Sequence, residues 1–326
     1  MDTTPNCCPL NFVTVRTVFS ALAIITFFLG GTEFAHATGF TLGGASDYAV
    51  LYEGIGNHNL QITNVTVNGN IGVGNSLFTG QVQYNGPGAI NGRVDFSAAN
   101  SGQFHNNNGT NVGPTSVNYS VGAVTTALNF VNALSTTLGG EVGAPITING
   151  NQTLNASSGT VINGDVVFNV TSYTEGDGNV LTINGDGLHN VVLNLAVSGN
   201  PQLGGDVILN GLSPDQVLWN YTGTNNLSLN NNASSFPFPD AFMGVILAPN
   251  AAISLTNANL LGRVFGGDSS DMQIVSGTTI KVPSVPDDGS TVSLLGIATL
   301  GLGLIQSRKS LLSGCWLRRA KARCLR

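Results

Sequence analysis

From Phe40 to Ile280 the chain is a succession of short runs in which apolar and polar positions alternate, broken by Asn-Gly and Gly-Asp pairs. A two-residue period belongs to a strand with one face buried, and Asn-Gly belongs to tight turns because both residues tolerate positive φ. One phrase returns: Val67-Asn68-Gly69-Asn70-Ile71, Ile90-Asn91-Gly92-Arg93-Val94, Ile148-Asn149-Gly150-Asn151, Ile162-Asn163-Gly164-Asp165-Val166 and Ile183-Asn184-Gly185-Asp186. Leu203-Gly204-Gly205-Asp206-Val207 and Leu261-Gly262-Arg263-Val264 echo it. The steps are 23 residues from Asn68 to Asn91, 21 from Asn163 to Asn184 and 20 from Asn184 to Gly204. A period near 20 suits one coil of three short strands and three corners. The pattern predicts a mainly β chain folded as a right-handed β-solenoid. A sandwich of local hairpins is the alternative that Asn-Gly leaves open.

One stretch changes period. Val121, Val124, Leu128, Val131, Leu134 and Leu138 recur at steps of three and four, which predicts one long α-helix over about 120–138 packed alongside the solenoid. Ser120 is placed to cap its start and Gly139-Gly140 its end. Ala123, Ala127, Phe130 and Ala133 widen its apolar face. The Asn-rich stretch 102–114 reads as a long loop leading in.

The ends read differently. Arg16 precedes the apolar run Thr17–Gly30, and Ala35-His36-Ala37 offers the small residues of a signal-peptidase site. Residues 1–37 are therefore expected to be a signal peptide cut after Ala37, with a retained membrane helix as the alternative. At the other end Val285-Pro286-Asp287-Asp288-Gly289-Ser290 precedes the apolar run Thr291–Ile305, and Arg308-Lys309 follows it. Fifteen apolar residues are short for a stable span but suffice to halt export with the basic pair on the cytoplasmic side. Hydrophobic helices are expected at both termini. The expected division is 1–37, a solenoid domain over 38–284, a sorting segment over 285–309 and a basic tail over 310–326.

Composition narrows the function. Only 9% of residues are charged against 42% hydrophobic, with 43 glycines. Between residues 38 and 286 there are thirteen acidic residues and three basic ones, Arg93, Arg263 and Lys281. Such a domain lacks the cations that nucleic acid requires and is not drawn to anionic lipid. Cys7, Cys8, Cys315 and Cys324 all lie outside it, so it has neither disulfide nor thiolate metal site.

Candidate chemistry stays weak. Asp165, Asp186 and Asp206 recur with the repeated phrase and would line up on a corner, but corner Asp residues mostly satisfy turn amides. Glu175-Gly176-Asp177-Gly178-Asn179 offers oxygen ligands without the spacing of a calcium loop. His58, His105 and His189 are scattered, and Trp219 in Val217-Leu218-Trp219 reads as core. No catalytic residue, metal or cofactor is implied, and the chain is not expected to be an enzyme.

Three resemblances add to this. Val217-Leu218-Trp219-Asn220-Tyr221, Leu227-Ser228-Leu229 and Gly244-Val245-Ile246-Leu247-Ala248-Pro249-Asn250-Ala251 resemble the closing half of the choice-of-anchor A domain of bacterial surface proteins. Ala45-Ser46-Asp47-Tyr48-Ala49-Val50-Leu51 is similar to its start. The same opening, the inserted helix and Gln273-Ile274-Val275-Ser276-Gly277 also resemble the ice-binding domain, a discontinuous β-solenoid with one flanking helix. Val285–Ser290, the apolar run and Arg308-Lys309 resemble the PEP-CTERM class of sorting signals, in the variant reading VPDSG, with Asp288 in place of its Ser. That resemblance implies an exosortase-type processing enzyme, transient contact with the inner membrane and a place at the cell surface or outer membrane or in the extracellular matrix, with a lasting C-terminal anchor in the inner membrane as the alternative.

The expected function is thus an exported, surface-sorted, non-enzymatic structural or adhesive solenoid. The alternatives are an ice-binding protein and a glycan-binding or glycan-degrading β-helix. For ice the candidate face is Thr63, Thr66, Asn68, Thr147, Asn149, Thr182 and Asn184, although outward Thr is also ordinary β surface.

Overall fold

The computed structural model describes residues 38–283, except 76, 98–102, 108, 177, 233–240 and 268–269. The expected signal cleavage site, the motif Val285–Ser290, Arg308, Lys309 and the terminal hydrophobic helices lie outside the described residues. Among the described residues no helix is long and apolar enough to cross a membrane.

The short alternating runs form strands that pair in parallel, coil upon coil. Each coil passes through three faces in turn. Strands Tyr48–Tyr52, Leu60–Thr63 and Thr66–Asn68 make one such circuit, and Asn70–Val73 begins the next directly beside Tyr48–Tyr52. Alternation decides which side chains enter the core. In Leu60–Thr63, Leu60 and Ile62 are fully buried, while Gln61 and Thr63 face outward. Coil length varies more than the sequence period implies. Ile246 pairs with Val264, 18 residues on, whereas Gln152 pairs with Leu181, 29 residues on.

The stacking order is discontinuous. Along the first face the strands run Ala144–Asn149, Asp165–Thr174, Asn190–Leu195, Val217–Asn220, Phe242–Ala248, Asn259–Gly266, Tyr48–Tyr52, Asn70–Val73, Arg93–Phe96 and Ser116–Asn118. The chain therefore starts in the middle, builds to one end and crosses to the other. It then builds back until Asn259–Gly266 docks beside Tyr48–Tyr52. Nine strand spacings amount to ~43 Å. The crossing is made by helix α1, Gly122–Gly139, whose eighteen residues cover ~27 Å, together with the segments flanking it.

Helix α1 lies on this first face, the helix face. Val124, Ala127, Leu128, Val131 and Leu138 pack on Val167, Val192, Leu218, Val245, Leu247, Phe265 and Leu51 in a core separate from the solenoid interior. Each larger aliphatic side chain so buried stabilises the docking by ~1.5–3 kcal/mol. Two details differ from the sequence reading. Ser120 does not cap the helix: it stands at φ 62, and Val121 holds the cap position without a side-chain bond. The stripe is also narrower, for Ala123 and Ala133 are exposed and Phe130 is 37% exposed.

Polar groups pin the helix. Ser135 donates to Asn220 Oδ1, the Asn220 amide donates to Ser135 O at 3.0 Å and to Asn194 Oδ1 at 2.9 Å, and the Asn194 amide donates to Leu138 O at 2.8 Å. Arg263, 4% exposed, fastens the middle junction. Its Nη1 donates to Ser46 O at 2.6 Å and Tyr48 O at 2.8 Å, and its Nε lies 3.4 Å from Asp215.

The repeated phrase has a physical cause. Gly262 pairs with Gly244, and Gly69 with Gly92 lies at the same corner between faces. A Cβ on Gly262 would stand 1.8 Å from Gly244 O, and one on Gly92 would stand 2.3 Å from Gly69 O. Adjacent coils approach so closely there that only glycine fits. One Asn-Gly realises the hairpin alternative instead. Asn163 and Gly164 both have positive φ and join Thr160–Ile162 to Asp165–Thr174 as an antiparallel pair. The Asn-rich stretch 102–114 is not a long loop: Gln103–Asn106 is a strand paired with Gln81–Asn85, and Val112 bridges Ala89.

Candidate binding face

The second face is a seven-stranded parallel sheet: Gln202–Leu203, Leu227–Leu229, Ile253–Thr256, Met272–Val275, Leu60–Thr63, Gln81–Asn85 and Gln103–Asn106. Its inward row is apolar, with Leu203, Leu227, Leu229, Ile253, Leu255, Met272, Ile274, Leu60, Ile62, Val82 and Tyr84 buried. The outward positions fall into register. One row reads Gln202, Ser228, Ser254, Gln273, Gln61, Gln83, His105. A second reads Thr256, Val275, Thr63, Asn85. At ~4.8 Å per strand the first row extends ~29 Å, with the second row ~7 Å away. Neither row contains Asp, Glu, Lys or Arg. We call this the glutamine face.

Its amides are differently engaged from those of the third face. There, Thr153, Thr182 and Ile208 form one outward row and Asn155, Asn184 and Asn210 the next. The Asn184 amide donates to Asn155 Oδ1 at 2.8 Å, and the Asn210 amide to Asn184 Oδ1 at 2.9 Å, so this ladder spends its donors on itself. On the glutamine face three bonds run along single strands, Gln83 to Gln81 at 3.2 Å, His105 with Gln103 at 2.9 Å and Ser254 with Thr256 at 3.4 Å, and two cross between coils, Asn107 to Asn85 Oδ1 at 2.7 Å and Ser228 to Pro201 O at 3.5 Å. Among the described residues the Gln61, Gln273 and Gln202 side chains bond to nothing, which leaves them available to water or a ligand.

The expected threonine and asparagine set is divided by the structure. Thr66, Asn68, Thr182 and Asn184 lie on the third face, in two separate stretches of it. Thr63 lies on the glutamine face. Thr147 and Asn149 stand on the end strand, opposite Ser172 and Thr174, outside the seven-stranded sheet. The acids do not line up either. Asp165 sits in the helix face opposite Asn190, Asp206 opposite Val180 in the third face, and Asp186 accepts from the amides of Leu188 and His189 in a turn. Trp219 is fully buried and donates from Nε1 to Met243 O at 3.0 Å. No group of three His, Cys, Asp or Glu side chains converges among the described residues.

A recess opens at the Gln202 end of the glutamine face. It has a volume of about 420 Å³ and is lined by Glu175, Gln202, Gly204, Ser228, Asn230 and Thr256 among others. A Cβ on Gly204 would stand 2.7 Å from Glu175 O and 3.2 Å from Asn230 O, so the floor exists because Gly204 has no side chain. Glu175 is 6% exposed. Burial pushes its carboxyl up to about 7; a 3.3 Å bond from the Tyr173 hydroxyl opposes this and the nearby Asp206 reinforces it. Its Oε1 accepts no hydrogen bond among the described residues. Sequence reasoning singled out the Glu175 loop but not this recess, because Gln202, Ser228 and Thr256 come together only through the stacking of coils.

The class is set by the fold: a parallel β-solenoid with discontinuous stacking, one helix on one of three faces and an open polar sheet on another. The family follows. The chain belongs to the family described as "Putative Ice-binding-like adhesive domain", which matches residues 30–277. No curated protein matches the chain. Among solved structures it is similar to an ice-binding protein from the Antarctic ascomycete Antarctomyces psychrotrophicus, at 18% identity over 76% of this chain and 100% of that one, with a TM-score of 0.49. An ice-binding protein from an Arctic yeast gives 17% identity over 76% and 96%, with a TM-score of 0.47. Ice-binding protein 1 of Shewanella frigidimarina gives 15% over 77% and 100%, with a TM-score of 0.47. These likenesses are of fold, and the family assignment does not rest on them.

Proposed function

We propose that the chain is an exported, non-enzymatic surface adhesive whose ligand is ice, bound on the glutamine face. The observation that carries the reading is the pair of aligned outward rows, one over seven strands and one over four, without Asp, Glu, Lys or Arg, whose Gln61, Gln273 and Gln202 amides bond to nothing else among the described residues. Single contacts with water are weak, so holding an ice plane requires many of them fixed at once. A sheet face fixes side chains at the strand spacing, with the ordering entropy already met by folding. Membership of the ice-binding-like adhesive family supports this over a purely structural role.

Export and sorting complete the proposal. Cleavage after Ala37 releases the solenoid, and the choice-of-anchor A resemblance together with Val285–Ser290 and Arg308-Lys309 points to processing by an exosortase-type enzyme at the membrane. Ice binding at a cell surface then amounts to adhesion to ice. Ice-recrystallisation inhibition by the purified protein tests the ligand, with Gln61→Lys and Ser254→Lys on the glutamine face against Thr182→Lys on the third face. Intact-mass measurement of the surface form tests the sorting: ends at Thr38 and near Pro286 support it, and a mature chain retaining 291–305 refutes it.

A further inference from the structure

We propose that the recess over Gly204 is a saccharide site that takes one neutral hexose residue of a glycan chain. This is a second ligand, at the Gln202 end of the rows that face ice, where Gln202, Ser228 and Thr256 belong to both.

Three observations carry the assignment. The first is size: about 420 Å³ falls in the range of small-ligand sites and is open enough for a chain to continue outward over Gln202. The second is the lining. Gln202 brings an amide donor and acceptor, Asn230 an amide donor while its Oδ1 accepts from the Asn232 amide at 3.3 Å, Ser228 and Thr256 bring hydroxyls, and the missing side chain of Gly204 leaves the carbonyls of Glu175 and Asn230 uncovered by a Cβ. A mixed set of donors and acceptors matches a ligand whose groups both donate and accept, and sugar hydroxyls do so at every ring position. No Lys, Arg or His lines the recess, which disfavours phosphate, sulfate and uronic acids. The third is Glu175, nine-tenths buried at the edge of the recess with Oε1 unpaired among the described residues. That oxygen is closed off from solvent, so a sugar hydroxyl reaches it only when the Glu175 side chain turns into the recess, and that turn relieves an unsatisfied buried acceptor. Buried carboxylates also make a cation conceivable, but no third carboxylate, His or Cys joins them among the described residues.

The test is a titration of the purified protein with methyl glycosides of glucose, galactose, mannose and N-acetylglucosamine, followed by amide chemical shifts of Gly204, Ser228 and Asn230. At least one neutral hexoside is expected to bind saturably, with a dissociation constant on the order of millimolar for so small a ligand. Ser228→Trp, which fills the recess from an outward position, weakens binding at least ~10-fold, and Gln202→Ala weakens it less. Gln61→Lys, three strands away along the row, leaves it unchanged although it should abolish ice binding. Glucuronate binds at least ~10-fold more weakly than glucose. The proposal is overturned by the absence of saturable shifts with every neutral hexoside, by equal or better binding of glucuronate, or by binding that survives Ser228→Trp. Loss of ice activity alone leaves this proposal intact, and loss of sugar binding alone leaves the ice reading intact.

Discussion

Replacing Asn220 with Leu asks how helix α1 is held to the sheet. Asn220 is 1% exposed and stands in the same outward row as Leu247 and Phe265, so a leucine fits its surroundings by size and polarity. What it cannot do is serve Ser135 and Asn194. Ser135 loses the acceptor for its hydroxyl and Asn194 Oδ1 loses its donor, both inside a buried interface. A buried polar group left unpaired costs ~1–3 kcal/mol, while the added apolar burial returns ~1 kcal/mol. The net loss is ~2–4 kcal/mol, or a Tm lower by about 5–15 °C for a domain of this size. The triple variant Ser135→Ala, Asn194→Leu, Asn220→Leu removes the orphaned groups together. Leu138 O keeps the Glu141 amide at 3.1 Å, so nothing essential is left unpaired. Calorimetry or denaturant unfolding of the two variants should find the triple at least half recovered. A single variant within ~0.5 kcal/mol of the parent, or a triple as unstable as the sum of its parts, would refute the view that this network clamps the helix.

Other outcomes follow from the same packing. Arg263→Leu strips donors from Ser46 O and Tyr48 O where the first and last coils meet, and should cost ~2–4 kcal/mol in denaturant unfolding. Gly262→Ala drives a methyl into Gly244 O and should give little soluble protein, whereas Gly176→Ala, with open space around it, should behave as the parent. Glu175 makes stability depend on pH. The folded state holds its proton up to about 7, whereas the unfolded chain releases it near the ordinary 4.5. Its stabilising share is therefore full below pH 4.5 and is lost as pH rises toward 7. The share is up to ~3 kcal/mol, and Glu175→Gln should remove that slope from the urea midpoint between pH 5 and 8.

The coil was legible in the sequence for a definite reason. Some Asn-Gly and Leu-Gly phrases, at Gly92 and Gly262 above all, mark corners where coils touch backbone to backbone, and only glycine fits there. The helix was legible because a 3.6-residue stripe stands out among two-residue alternations. The make-up of the glutamine face was not. Gln61 and Gln273 are neighbours because Leu60–Thr63 stacks against Met272–Val275, a junction created by the helix carrying the chain back to the far end. Nothing local announces that stacking order. The Thr-x-Asn phrases fall on different faces for a related reason: each coil has three faces, and a two-residue pattern says that a side chain points outward without saying which way. Residues 102–114 were misread because Gln103–Asn106 is too short and too rich in Asn and Gln for alternation to show.

The most direct measurement is the ice-plane affinity of the fluorescently labelled protein, read on a single growing ice crystal beside its Gln61→Lys and Thr182→Lys variants. The account predicts a labelled plane for the parent and for Thr182→Lys, and a dark crystal for Gln61→Lys, since one ammonium in the middle of the uncharged row holds its own hydration shell against the lattice. A dark crystal for the parent at saturating concentration, or labelling lost with Thr182→Lys and kept with Gln61→Lys, would contradict it.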